Sequence, residues 1–240
     1  MLSDRQIQLL QAIISEYIQS AEPVGSIEIV SKYNLRCSAA TIRNEMAKLI
    51  DLGFLEMLHT SSGRVPTRQA YRLYLDQIME ENEVPVLQEV ALKQRLWTNR
   101  FQFEKLLHEA ALALAEQTKL LSIITTNEGH VTHAGAVNVL DHKEFWDIDV
   151  AKAALSLLDN YELLDKVFQN APVGSEVRCL IEEEIGLDKL DQCTVIFAPY
   201  NTGKRSGNIA VLGPSRLDYS TAIPVLRYIK NLIEELGGSW

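Results

Sequence analysis

The chain has 240 residues, 47% of them hydrophobic, with a formal net charge of −9. This suits a soluble globular protein of one large or two ordinary domains, and no apolar run approaches the roughly 18 residues of a membrane span. Met1–Arg5 lacks the apolar core of a signal peptide, so the expected location is the cytoplasm.

Cys37, Cys179 and Cys193 are odd in number, widely spaced and without a CxxC pair, which argues against a disulfide framework or a zinc knuckle. The acidity is unevenly spread. Residues 1–75 carry eight Lys/Arg and seven Asp/Glu, whereas the remainder carries 15 and 25. Within 36–72 six basic residues face three acidic ones, so a net acidic chain still holds a mildly basic segment.

In chain order, Ser3-Asp4-Arg5-Gln6 has the spacing of a capping box, and Ile7, Leu10, Ile14, Tyr17 and Ile18 predict an amphipathic helix to about Gln19. Glu22-Pro23-Val24-Gly25 is a turn, and Ser26 is placed to cap a short second helix through Tyr33. Ser38 caps a third, which Gly53 ends, with Ile42, Met46 and Leu49 as its core side. Three helices with a short turn between the second and third make a helix-turn-helix. Phe54–Leu58 then alternates like a strand and runs into the polar loop His59–Thr67, the order of a recognition helix followed by a wing.

The outward side of the third helix carries small residues and an amide, a shape that fits a DNA major groove. Ala40, Thr41, Arg43 and Asn44 are the candidate base readers: Asn for an adenine edge, Ala or Thr for a thymine methyl, Arg for guanine or phosphate. Ser38, Lys48, His59, Thr60, Ser61, Gly63, Arg64, Arg68 and Arg72 are the candidate backbone and wing residues, the last two on a helix capped by Thr67 and reaching about Met79. The alternative is a solvated helix and a plain surface hairpin.

Glu80–Val86 is acidic, contains Pro85 and is read as a linker between a winged-helix domain (1–79) and a second domain (87–240). Helices are expected between Leu87 and Gln117 with a break near Thr98. Extended segments are expected at Leu120–Thr126 and Val131–Leu140, around the Asn127-Glu128-Gly129 turn. Helical patterns at Asp149–Asp159 and Tyr161–Asn170 precede strands at Glu176–Ile181, Thr194–Tyr200 and Asn208–Leu212, and a last helix spans Ser220–Leu236. The whole is α+β with an antiparallel sheet. The apolar faces of Leu106, Ala110 and Leu114, and of Leu226, Ile229 and Ile233, are candidate dimer contacts, with packing inside the domain as the alternative.

SAATIRNEMAKL, LGFLE, HTSSGRVPT and AYRLYLD, with EPVGS upstream and APYNTGKRSGNIAVLGPSRLDYSTAIPVLRYI near the end, resemble the heat-inducible transcription repressor HrcA family. The resemblance implies a winged helix followed by a GAF-like domain, and repression of chaperone operons through an inverted-repeat CIRCE operator. It also implies a homodimer whose activity a GroEL-type chaperonin maintains. Typical members carry roughly a hundred further residues, the scale of a domain, ahead of the segment matched by Val137–Leu140, including an inserted dimerisation domain. The expectation is a short form with a reduced GAF-like domain.

No GxSxG elbow, P-loop or GxGxxG is present, so no enzyme and no cofactor is expected. His130, His133, Asp141 and His142 match no defensible metal spacing. Two other functions fit the same residues: a winged helix controlled by a small ligand in the second domain, and a winged helix used for protein interaction.

Overall fold

The structure, a computed structural model, describes residues 2–33, 37–58, 63–171 and 176–238. The chain divides into two units, Met1–Glu80 and Glu81–Trp240. The predicted features His59, Thr60 and Ser61 lie outside the described residues.

In the first unit, α1 (Asp4–Ser20) begins at the Ser3/Gln6 capping box and ends where Ala21 turns left-handed. For α2 (Ser26–Lys32) the cap is Gly25 rather than Ser26, which is instead the first helical residue and is buried. The third helix, α3, spans Ala39–Asp51. β1 (Leu55–Glu56) and β2 (Val65–Pro66) form an antiparallel pair, shorter than the predicted strand. Then α4 (Arg68–Leu73) continues into a π-helical turn, Tyr74–Ile78. Leu9, Leu10, Ile13, Ile14, Ile29, Ile42, Leu49 and Tyr71 are fully buried, so each helix contributes its apolar stripe to one core.

The second unit opens with α5 (Val86–Thr98) and α6 (Phe103–Thr118). Its sheet contains β3 (Leu121–Thr125), β4 (Val131–Ala134), β5 (Arg178–Ile181), β6 (Cys193–Asn201) and β7 (Ser206–Pro214), in the order β4-β3-β7-β6-β5 and antiparallel throughout. The predicted extended run to Leu140 stops at Ala134, because Gly135 turns left-handed (φ +73°) and Ala136–Asp141 forms a 3₁₀ helix. Helices α7 (Ile148–Ser156) and α8 (Tyr161–Gln169) follow, and α9 (Tyr219–Gly237) closes the chain.

One sheet face, with Leu121, Ile123, Val195, Phe197, Ala210 and Leu212, packs on Phe145, Leu157, Leu164 and Phe168. α6 and α9 pack on each other and on the sheet, while α5 lies against both helices. Every residue of β3 is buried, as expected for a strand covered on both faces. The motif Pro224 sits inside α9, where its ring nitrogen cannot donate to the Ser220 carbonyl. The Asn82 amide donates there instead, at 2.9 Å.

Candidate nucleic-acid interface

Helix α3 is fixed at both ends by its own sequence. The Ser38 hydroxyl accepts from the Thr41 amide at 3.1 Å, satisfying one of the first-turn donors. At the other end Gly53 is left-handed (φ +80°), its amide donates to Ile50 O and that of Phe54 to Leu49 O, both at 2.9 Å. This is the Schellman pattern, which satisfies the last carbonyls. Between the ends, buried Ile42, Met46 and Leu49 anchor the helix while Ala40, Arg43, Asn44, Ala47 and Lys48 are exposed. Thr41 is half-buried, and its hydroxyl lies 2.9 Å from that of Ser38.

The candidate base readers therefore differ in freedom. Arg43 and Asn44 are exposed and make no side-chain hydrogen bond or ion pair among the described residues, whereas Thr41 and Ser38 are engaged with each other. Lys48 donates at 3.1 Å to Glu45, which is buried and also receives Arg5 at 2.8 Å. The Lys48 ammonium and then the Arg5 guanidinium hold the Glu45 carboxyl below its ordinary range, against the opposing effect of desolvation. Glu45 thus ties α3 to α1.

The base of the wing is held from an unexpected side. Val24 and Arg64 exchange two backbone hydrogen bonds of 2.9 Å, pinning the Glu22–Gly25 turn to the strand that leaves the wing. A Cβ on Gly63 would stand 2.3 Å from the Pro23 carbonyl oxygen, so this close approach requires glycine. The Thr67 hydroxyl accepts from the Ala70 amide at 3.4 Å and donates to Gly53 O at 2.7 Å, joining the end of α3 to the start of α4. Arg68 is exposed on the first turn of α4 and Arg72 is half-buried one turn later.

The six candidate dimer residues are all turned inward. Leu106, Ala110, Leu114, Leu226, Ile229 and Ile233 are fully buried within their own unit, where α6 packs on α9. Their stripes are satisfied internally and present nothing to a second chain. Among the described residues no group of three or more His, Cys, Asp or Glu converges as a metal site. A cavity of about 270 Å³ lies beside the left-handed Gly203 turn, lined by Phe101, Phe103, Thr202, Lys204, Arg205 and Gly237. No described helix is long and apolar enough to cross a membrane.

Comparison with known proteins covers both units. Residues 1–80 match the family model "Winged helix-turn-helix transcription repressor, HrcA DNA-binding", and residues 70–223 match "HrcA protein C terminal domain". The heat-inducible transcription repressor HrcA of Clostridium tetani is 28% identical, with 98% of this chain and 95% of the relative covered. That of Clostridium acetobutylicum is 27% identical over 97% and 96%. The first alignment runs over 338 positions against a chain of 240, so at least 98 positions have no residue here. A solved structure described as a hypothetical protein shares the fold with a TM-score of 0.80 at 21% identity, over 100% of this chain and 99% of that one. Matched across the winged helix and the α+β unit alike, the chain belongs to the HrcA family of heat-inducible transcription repressors.

Proposed function

We propose that this chain represses chaperone operons in the cytoplasm by binding an inverted-repeat operator of the CIRCE type as a homodimer, and is released on heat stress. The carrying observation is α3: a helix locked at both ends that leaves Arg43 and Asn44 exposed without intramolecular partners among the described residues. In this reading Ala40, Thr41, Arg43 and Asn44 meet base edges. Ser38, Lys48, Arg64, Arg68 and Arg72, with Gly63 and the loop residues His59, Thr60 and Ser61, set the register on phosphates. Lys48 keeps donors for a phosphate beyond the one given to Glu45. A GroEL-type chaperonin is the proposed partner that keeps the repressor active.

The test is a salt titration of binding to a duplex carrying the full inverted repeat, a single half-site and a scrambled duplex. Strong preference for the full repeat, with affinity falling steeply as salt rises, is the expected result. Equal affinity for all three duplexes would replace the repressor by a protein-interaction module.

A further inference from the structure

Leu87, Val90, Gln94 and Trp97 recur along α5 at steps of three, four and three residues, and Phe101 continues the spacing in the turn beyond. That alternation belongs to a helix lying along another helix. These side chains face outward: Leu87 is 86% exposed, Val90 58%, Trp97 49% and Phe101 59%, with Val86 beside them at 72%. The opposite side of α5 already serves its own unit, through buried Leu92 and Leu96 and through Arg95, which bonds Glu109 and Glu116 of α6. A surface helix normally carries charge where α5 carries this stripe.

We propose that α5 is the dimer face, with two copies of the chain pairing their α5 helices antiparallel about a two-fold axis at Gln94. Its purpose rests on the repressor reading above, since an inverted repeat asks for a two-fold protein. The area suffices: at about 150–250 Å² for a large side chain, the five residues expose roughly 600 Å² per copy, and two copies clear the ~1,000 Å² of a specific interface.

Size and charge select a second copy in this orientation. Antiparallel pairing sets aliphatic Leu87 and Val90 of one copy against aromatic Phe101 and Trp97 of the other, and brings the two Gln94 amides together, each able to donate and accept. Glu80, Glu81 and Glu83 precede α5 and Arg100 follows it, so the acidic end of each helix meets the basic end of its partner. Glu81 is already bound to Arg227, which leaves exposed Glu83 as the nearest carboxylate in the segment that leads into α5. The outward positions 87, 90, 91, 94, 97 and 98 are all uncharged, and exposed Lys93 at the edge of the stripe is paired with Glu235, so two chains of net charge −9 meet on a surface without net charge. Arg100 stacks 4.4 Å from the Trp97 ring and 3.9 Å from that of Phe101, holding both rings in place before association.

The experiment uses the full chain with half-buried Cys37 and Cys179 changed to serine and buried Cys193 retained. On mild oxidation Gln94→Cys should form an intermolecular disulfide and Leu87→Cys should not, because antiparallel pairing parts the two Leu87 by about 20 Å. Cross-linking at both positions would overturn the antiparallel arrangement, and at neither the interface. The exposed double variant Val90→Glu/Trp97→Glu should melt like the parent yet sediment as a monomer where the parent is a dimer. On DNA it should lose roughly a hundredfold of its preference for the full repeat while half-site affinity holds. A variant that remains dimeric overturns the α5 face and leaves the repressor reading standing. A parent that pairs through α5 but ignores the operator does the reverse.

Discussion

At the scale of single residues, two neighbours on α3 face opposite ways: Asn44 outward, where base reading is proposed for it, and Glu45 inward. Asn44 is exposed with its amide free among the described residues, so Asn44→Ala should cost about 1–3 kcal/mol of operator binding and leave non-specific binding unchanged. Competition binding against the scrambled duplex reads the difference, and an equal loss on both duplexes would assign Asn44 to the backbone. Glu45 points the other way. Its carboxyl is held below its ordinary range by Lys48 and Arg5, so it stabilises the first unit above that range and stops doing so as pH falls through its folded pKa. In melting curves the deficit of Glu45→Gln should be widest near neutral pH and close in acid; a deficit independent of pH would make Glu45 a packing residue. The exposure of Asn44 was legible from its place opposite Ile42, Met46 and Leu49. The burial of Glu45 was not, because it depends on α1, forty residues upstream, presenting Arg5. The need for glycine at Gly63 was hidden in the same way, since the obstructing carbonyl belongs to Pro23.

At the scale of elements, most helices and caps with a local cause were legible, the α2 cap excepted, where Gly25 and not Ser26 holds the position. The Ser3/Gln6 box, the Ser38 cap and the Gly53 stop all lie within a few residues of what they control. The apolar faces of α6 and α9 were equally visible, but a periodic stripe says only that a face will be covered and not by what. The two cover each other, whereas on α5 the stripe that begins with Leu87 and Val90 stays exposed, diluted by Gln94 and interrupted at the turn before Phe101. Between elements, Arg216 clasps Glu144 through two bonds of 2.7 and 3.0 Å, with the two side chains only 12% and 7% exposed, tying the chain after β7 to the 3₁₀ turn before α7. Removing one partner strands a buried charge, so Arg216→Ala should destabilise the second unit by about 3 kcal/mol in urea denaturation. A loss below ~1 kcal/mol would mean that water replaces the guanidinium.

At the scale of the whole molecule, the two units differ in how far apart along the chain their partners lie. The first unit is complete by residue 80, whereas α6 at Phe103–Thr118 is covered by α9 at Tyr219–Gly237, and Asn82 donates to Ser220. A chain ending at Asp218 should therefore retain half-site binding, expose apolar surface to a hydrophobic dye and lose cooperative melting of its second unit. Cooperative melting of the shortened second unit would show that α9 is dispensable. For a polypeptide made from its N-terminus, that long-range closure has a temporal meaning. The winged-helix unit exists early, while Leu106, Ala110 and Leu114 wait uncovered until α9, more than a hundred residues later, has been made. In the interval the nascent chain offers folding assistants an apolar helix while it already carries a structured DNA-binding end, so the rate of synthesis itself sets how long each new molecule stays half-made.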